Sequence, residues 1–133
     1  MQTLKSWGID TSGMIAADGS GLSRDNRASA AQLVQVLRRM YLDPQVGERF
    51  IESLSLNATD GTLRKRMKDI PARVRAKTGY LKGIRSMSGY VMAGEDRWYA
   101  FSVIFNNIPG GTAPYNRIHD NICRALIDPR LVR

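Results

Sequence analysis

The sequence has one cysteine, Cys123, and one histidine, His119, in 133 residues. A lone cysteine excludes an internal disulfide and leaves the redox compartment open. His119 and Cys123 stand at i and i+4, so they share a face of any helix that contains them. No other His or Cys exists to complete a zinc site, and no third group is evident to orient a thiol dyad. The pair reads as two half-buried helix residues, and neither a metal nor a cofactor is expected. No run approaches the ~20 apolar residues of a membrane span. The start, Met1-Gln2-Thr3-Leu4-Lys5-Ser6-Trp7, lacks the apolar centre of a signal peptide, so this chain is expected to carry no export signal.

Acidic side chains are also scarce: 12 Asp and Glu stand against 20 Lys and Arg, a net charge of +8. Such a balance can mark a nucleic-acid surface. The densest cluster is Arg64-Lys65-Arg66-Met67-Lys68, followed by Arg73, Arg75, Lys77, Lys82 and Arg85. Aromatic residues are 8% of the chain and lie mostly elsewhere, at Trp98, Tyr99 and Phe101, not interleaved as a base-stacking platform requires. The cluster falls on a short predicted helix, where a solvated basic face accounts for it, and an acidic portion of a larger protein would neutralise it equally. With 43% hydrophobic and 24% charged residues, the composition is that of one globular domain.

Met14-Ile15-Ala16-Ala17 reads as an extended segment entering a loop, Asp18-Gly19-Ser20-Gly21-Leu22-Ser23-Arg24-Asp25-Asn26, that is dense in turn formers. Ser29 and Gln32 stand at capping-box spacing before Leu33, Val34, Val36, Leu37, Met40 and Tyr41, which predicts a helix to about Leu42. Asp43-Pro44 opens a second helix with Phe50, Ile51 and Leu54 inward, and Asp60-Gly61 a third, short one through Met67. From Ala72 the apolar period changes to 2, predicting strands over 74–78, 84–92 and 97–106 with turns at 80–83 and 94–96. A closing helix over 113–127 would bury Ile118, Ile122, Leu126 and Cys123, and Met40, Met67, Met87 and Met92 read as core filling. The expected class is α/β: an antiparallel three-stranded meander flanked by helices.

Within that frame one triplet is chemically loaded, Lys77-Thr78-Gly79, followed by Tyr80. It lacks the upstream glycines of a phosphate-binding loop. Asp18-Gly19-Ser20-Gly21-Leu22-Ser23-Arg24-x-Asn26, Ser53-Leu54-x-Leu56 with Asp60-Gly61-Thr62-Leu63, Ala76-Lys77-Thr78-Gly79-x-Leu81-x-Gly83 and Ser88-Gly89-Tyr90 occur in that order. Together they resemble the C-terminal part of the class C low-molecular-mass penicillin-binding proteins, serine-type D-alanyl-D-alanine carboxypeptidases and endopeptidases that trim peptidoglycan. The resemblance runs from the first predicted element to the last. It implies a partial penicillin-binding-protein (serine β-lactamase-like) fold: residues 1–133 as the C-terminal portion of a transpeptidase-like domain, without its N-terminal strands and helical subdomain.

The resemblance also implies roles. Lys77 supplies a fixed charge for a substrate carboxylate and Thr78 a hydroxyl to it. Gly79, having no Cβ, lets a substrate backbone lie against the strand. The Tyr80 N–H is half of an oxyanion hole. Leu22 and Arg24 border the cleft as substrate contacts, with a salt bridge from Arg24 to Asp25 or Asp18 as the plainer alternative; Asp18 and Gly19 read as turn residues. In the complete protein the partners would be peptidoglycan stem peptides and β-lactams, in an extracytoplasmic or periplasmic setting. The departure is equally clear. No serine here has a lysine three residues on, so the Ser-x-x-Lys nucleophile element is absent, and Thr62 with Lys65 belongs to the Asp-Gly-Thr-Leu element. Ser55-Leu56-Asn57 fits Ser-x-Asn by letter, in the wrong context. The chain is therefore expected to be inactive by itself, with a non-catalytic peptidoglycan-peptide module or, less favoured, a basic nucleic-acid binder as alternatives. The apolar last strand, from Tyr99 to Phe105, is expected to pair with the missing part, with a second copy or with the chain's own N-terminal segment.

Overall fold

Capping chemistry sets the first long helix. In the computed structural model, which describes residues 1–95 and 97–133, Ser29 accepts from the Gln32 N–H while the Gln32 side chain accepts from Ser29 N–H, at 3.1 and 2.9 Å. This reciprocal cap starts α2 (Ala30–Tyr41), which follows a short unforeseen α1 (Gln2–Ser6). Asp43 then accepts from Gln45 and Val46 N–H, and α3 (Gly47–Glu52) begins later than Asp43-Pro44 suggested. The helix expected through Met67 shrinks to one 3₁₀ turn, Gly61–Leu63, and Met67 itself takes a left-handed φ of 52°, outside any helix. α4 (Ala113–Ile127) has the expected bounds, and a further 3₁₀ turn, Pro129–Leu131, closes the chain.

The sheet has four antiparallel strands in the order β1-β2-β3-β4: β1 (Ser55–Leu56), β2 (Val74–Leu81), β3 (Ile84–Met92) and β4 (Trp98–Phe105). The three-stranded expectation missed β1, two residues too short to show a period. It also ended the second strand early. Leu81 pairs with Ile84, so the hairpin turn is Lys82-Gly83, with Gly83 at φ 79°. Among the described residues β4 pairs only with β3, so the N-terminal segment does not re-pair its outer edge; residues 14–17 contribute a single bridge, Ile15 to Arg27. Only Phe101 of β4 is fully buried, so the strand is not sealed on both faces.

The pleat divides the side chains between two layers. Val74, Ala76, Met87, Val91 and Phe101 pack with Leu63, Met67, Ile70 and Cys123 beneath α4. On the opposite face Tyr90 is 1% exposed, donates its hydroxyl to the Leu37 carbonyl at 2.6 Å and meets the Tyr41 ring at a tilt against α2. The buried side of α4 is His119, Cys123 and Arg124, whereas Ile118 is 44% exposed. His119 and Cys123 are fully rather than half buried. Burial pushes the Cys123 thiol up to about 12 and the His119 imidazole down to about 4. Gly89 is required by packing: a Cβ there would lie 2.6 Å from Ala76 Cα, where β2 and β3 approach.

One buried carboxamide joins the loop before β2 to the strand itself. Asn57 Nδ2 donates to the carbonyls of Met67 and Ile70 at 2.9 and 2.8 Å, and Oδ1 accepts from Arg73 and Val74 N–H at 2.9 and 2.8 Å. This is the work of the Ser55-Leu56-Asn57 triplet, structural rather than catalytic. Replacing Asn57 by the similarly sized Leu would strand three backbone groups, the Ile70 carbonyl and the Arg73 and Val74 N–H, since the Met67 carbonyl also accepts from the Ile70 N–H at 3.2 Å. At ~1–3 kcal/mol for each unsatisfied group, a loss of at least about 3 kcal/mol is expected, measured as a lowered urea midpoint. A loss under ~1 kcal/mol would mean that water replaces the clamp.

Candidate active site

Which groups of β2 face outward follows from the Asn57 clamp. The N–H and C=O of Val74 are both taken on the β1 side, by Asn57 Oδ1 and Asn57 N. Backbone groups alternate sides along an antiparallel strand, so those of Ala76, Thr78 and Tyr80 point the same way. β1 reaches only as far as Ser55 opposite Ala76. The N–H and C=O of Thr78 and Tyr80 therefore lie on an open edge, and the Tyr80 N–H is free to receive a ligand oxygen.

Side chains from both faces crowd this edge. Lys77 is exposed, and its Nζ donates to the Thr78 carbonyl at 2.6 Å, so the ammonium bends round to the open side. Thr78, on the α4 face opposite Met87, donates its hydroxyl to Thr62 Oγ1 at 2.9 Å. Gly79 is needed first for a neighbour, because a Cβ there would collide with the Ser86 hydroxyl of β3. Tyr80 is 66% exposed, and the Arg85 guanidinium sits over its ring, 3.5 Å from the centroid.

The loop 18–26 lies against the same end of β2. Asp18 holds it in shape: its carboxylate accepts from Gly21 and Ser23 N–H, both at 2.9 Å, from the Ser20 hydroxyl at 3.0 Å and from Asn26 Nδ2 at 2.7 Å. Asn26 Oδ1 returns the tie by accepting from Ala17 N–H at 2.8 Å. Arg24 forms no salt bridge to Asp18 or Asp25; its Nη2 donates to the Lys82 carbonyl at 3.2 Å, in the hairpin turn. A cleft of about 350 Å³ opens between loop and strand, lined by Arg24, Asn26, Gly79, Tyr80, Leu81 and Ser86 among others. Leu22 is 71% exposed and outside that lining. The structure thus brings Arg24, Gly79 and Tyr80 together at one cleft, with Lys77 and Thr78 on the adjoining edge and Leu22 apart.

Two residues at this edge escaped the sequence reading as site residues. In sequence Thr62 is only a helix start within Asp-Gly-Thr-Leu, and its contact with Thr78 is made across 16 residues. Arg85 was read only as one more surface cation, and nothing in the sequence says that it folds over Tyr80.

The D-Ala-D-Ala carboxypeptidase 3 (S13) family model matches residues 1–126. The chain belongs to this family. It is 37% identical over 120 residues to a D-alanyl-D-alanine carboxypeptidase of Actinomadura sp. (strain R39), a match covering 85% of this chain and 22% of that protein. To carboxypeptidase DacB of Mycolicibacterium smegmatis it is 38% identical over 111 residues, 78% of this chain and 24% of the relative. The crystal structure of penicillin binding protein 4 (dacB) from Haemophilus influenzae superposes with a TM-score of 0.82 at 27% identity, covering 95% of this chain and 30% of that one. The same H. influenzae protein has been solved in complex with a β-lactam. This S13 chain thus spans less than a quarter of the length of these two curated relatives. No helix among its described residues is long and apolar enough to cross a membrane.

The hydrogen bond from Asn26, followed by those from Ser23, Gly21 and Ser20, holds the Asp18 carboxyl down at about 2, from an ordinary 3.8. A depressed carboxyl stabilises the folded loop above the ordinary value, and that contribution disappears as pH falls through the depressed one. The Gly21 and Ser23 amide resonances should therefore hold their positions from pH 7 to about 4 and move only as pH approaches 2. Movement centred near pH 4 would show that the Asp18 bonds do not persist in solution.

Proposed function

We propose that this S13 chain forms the Lys-Thr-Gly wall of a peptidoglycan D-alanyl-D-alanine carboxypeptidase site and is catalytically silent by itself. The observation that carries the reading is the edge of β2 that no strand covers beyond Ala76: the N–H groups of Thr78 and Tyr80 face outward there between Lys77 and the Arg24 loop, while the Thr78 carbonyl accepts from Lys77 Nζ. An extended peptide can add to such an edge by main-chain hydrogen bonds. Placed there, a stem peptide ending in D-Ala-D-Ala, or a β-lactam, would have Lys77 as the nearby fixed charge and the Thr78 hydroxyl as a donor. The Tyr80 N–H would meet the oxygen on which charge develops as the carbonyl is attacked, a preorganised dipole of the kind that lowers acyl-transfer barriers.

What the chain does not supply is the attacking group. The absence of Ser-x-x-Lys supports assigning the nucleophile, its base and the helical side of the cleft to an N-terminal portion of the same domain, which in the complete protein would act outside the cytoplasm. The unpaired outer edge of β4, from Tyr99 to Phe105, fits the same division, since strands from that portion, or from a second copy, would satisfy it.

A fluorescent penicillin is expected to leave no covalent label on the 133-residue chain. Stable acylation of one of its serines would place a nucleophile within it and refute the division. In a protein carrying the complete domain, Lys77→Ala should slow acylation by on the order of 10²–10³, as loss of one charge-stabilising group does. A change below about tenfold would confine Lys77 to a structural role.

A further inference from the structure

Next to the Arg24 cleft, with which it shares Gly79, Tyr80 and Ser86, lies a second cavity of about 250 Å³ that is also lined by Thr62, Arg66, Thr78, Arg85 and Asn116. Its two arginines are in different states. Arg66 is occupied: Nε and Nη2 donate to Asp120 Oδ1 at 3.0 and 2.7 Å, and Nη2 also to the Asn116 carbonyl at 3.1 Å. Arg85 has no ion pair or side-chain hydrogen bond among the described residues, and its Nε is buried without an acceptor. The Tyr80 ring covers one face of its guanidinium, which fixes the plane and consumes none of the N–H donors. Behind it His119 stacks on Phe105 at 5.2 Å; burial and the two guanidiniums keep its imidazole neutral, so it brings no competing charge. A buried donor of a cationic group with no partner is rare in folded proteins and costly unless something accepts from it.

The alternation of β2 decides which cation can serve this cavity. Lys77 leaves the strand on the α2 face, in the row of Ser88 and Ser102, whereas Thr78 and Arg85 share the α4 face with the cavity. We infer that this cavity takes a carboxylate, held by the Thr78 hydroxyl and by the in-plane edge of the Arg85 guanidinium, and that Arg85 is a specificity-determining residue for ligands ending in a free carboxylate. The fork of a guanidinium matches a carboxylate with two parallel N–H···O bonds, which a lysine ammonium cannot reproduce. Thr62 orients the Thr78 hydroxyl beforehand and gives way, as an acceptor, when the carboxylate arrives. The inference rests on the proposed reading of β2 as a peptide-binding edge.

The test is a titration of the ¹⁵N-labelled 133-residue chain with sodium acetate, with N-acetyl-D-alanyl-D-alanine and with the C-terminal amide of that dipeptide, following the Arg85 Nε–Hε and Thr78 amide signals. Both acids should move these signals saturably, and the amide should bind at least about tenfold more weakly, as loss of charge-assisted bonds requires. Arg85→Gln should weaken the acid by about tenfold or more and leave the amide's affinity unchanged; a variant that had simply misfolded would lose both. Arg85 and Thr78 signals unmoved by either acid overturn the inference. If the amides of residues 77–80 still respond to the dipeptide in that case, the proposed function stands without it. Acetate moving Arg85 while the dipeptide moves nothing would uphold the carboxylate cavity and remove the stem-peptide reading.

Discussion

The carboxamide of Asn57 is the interaction on which the rest of the site depends. Fully buried, it uses both donors and both acceptor positions on backbone groups of residues 67–74, and its own N–H goes to Val74. The segment it holds contains Ala58, Met67 and Ala72 at φ values of 58°, 52° and 56°, left-handed conformations that cost an L-residue of the order of 1 kcal/mol each. Five hydrogen bonds around one buried side chain offset that strain, and they hold the strand beginning at Val74 in a single register against β1.

From that clamp the open edge follows. The clamp fixes the register in which Ser55, the first residue of β1, stands opposite Ala76, so β1 covers β2 no further, and beyond Asn57 the chain turns through Asp60 and Gly61. Asp60 accepts from the Leu56 N–H at 2.9 Å, and Gly61, at φ 51°, lies where any Cβ would strike the Ser55 hydroxyl. The turn delivers Thr62 to Thr78. One edge of β2 is thereby bare exactly where Thr78 and Tyr80 present their backbone groups, and it is flanked by a cation on each face: Lys77 on one, Arg85 on the other.

The excess of positive charge is distributed in the same spirit. Arg66 pairs with Asp120, and Arg124 lies bidentate on Asp69 at 2.9 Å, joining the loop before β2 to α4. Within the basic run 64–68, Arg66 is thus turned inward and Met67 is core, which leaves a broken rather than a continuous basic face. This argues against an extended polyanion surface.

Much of the architecture could be read from local signals, because those signals are physical causes. The Ser29 and Gln32 cap acts within four residues, the bounds of α4 follow its apolar period and Pro114, and the β3 and β4 strands alternate as their faces require. The order of the loop, Asp-Gly-Thr-Leu and Lys-Thr-Gly elements likewise points to the family from sequence alone. What local sequence could not carry were the contacts between distant residues. The two-residue β1 exists only because Asn57 reaches Val74, 17 positions on. The short helix foreseen through Met67 stops at Leu63, and Met67 lies in the core at a positive φ with its carbonyl held by Asn57. Arg24 had acids beside it in sequence and chose the Lys82 carbonyl, 58 residues away. Arg85 looks like any surface cation until the pairing of β2 with β3 sets it opposite Tyr80. In each case the deciding energy comes from a partner brought near by folding, so it leaves no trace in the spacing of residues along the chain.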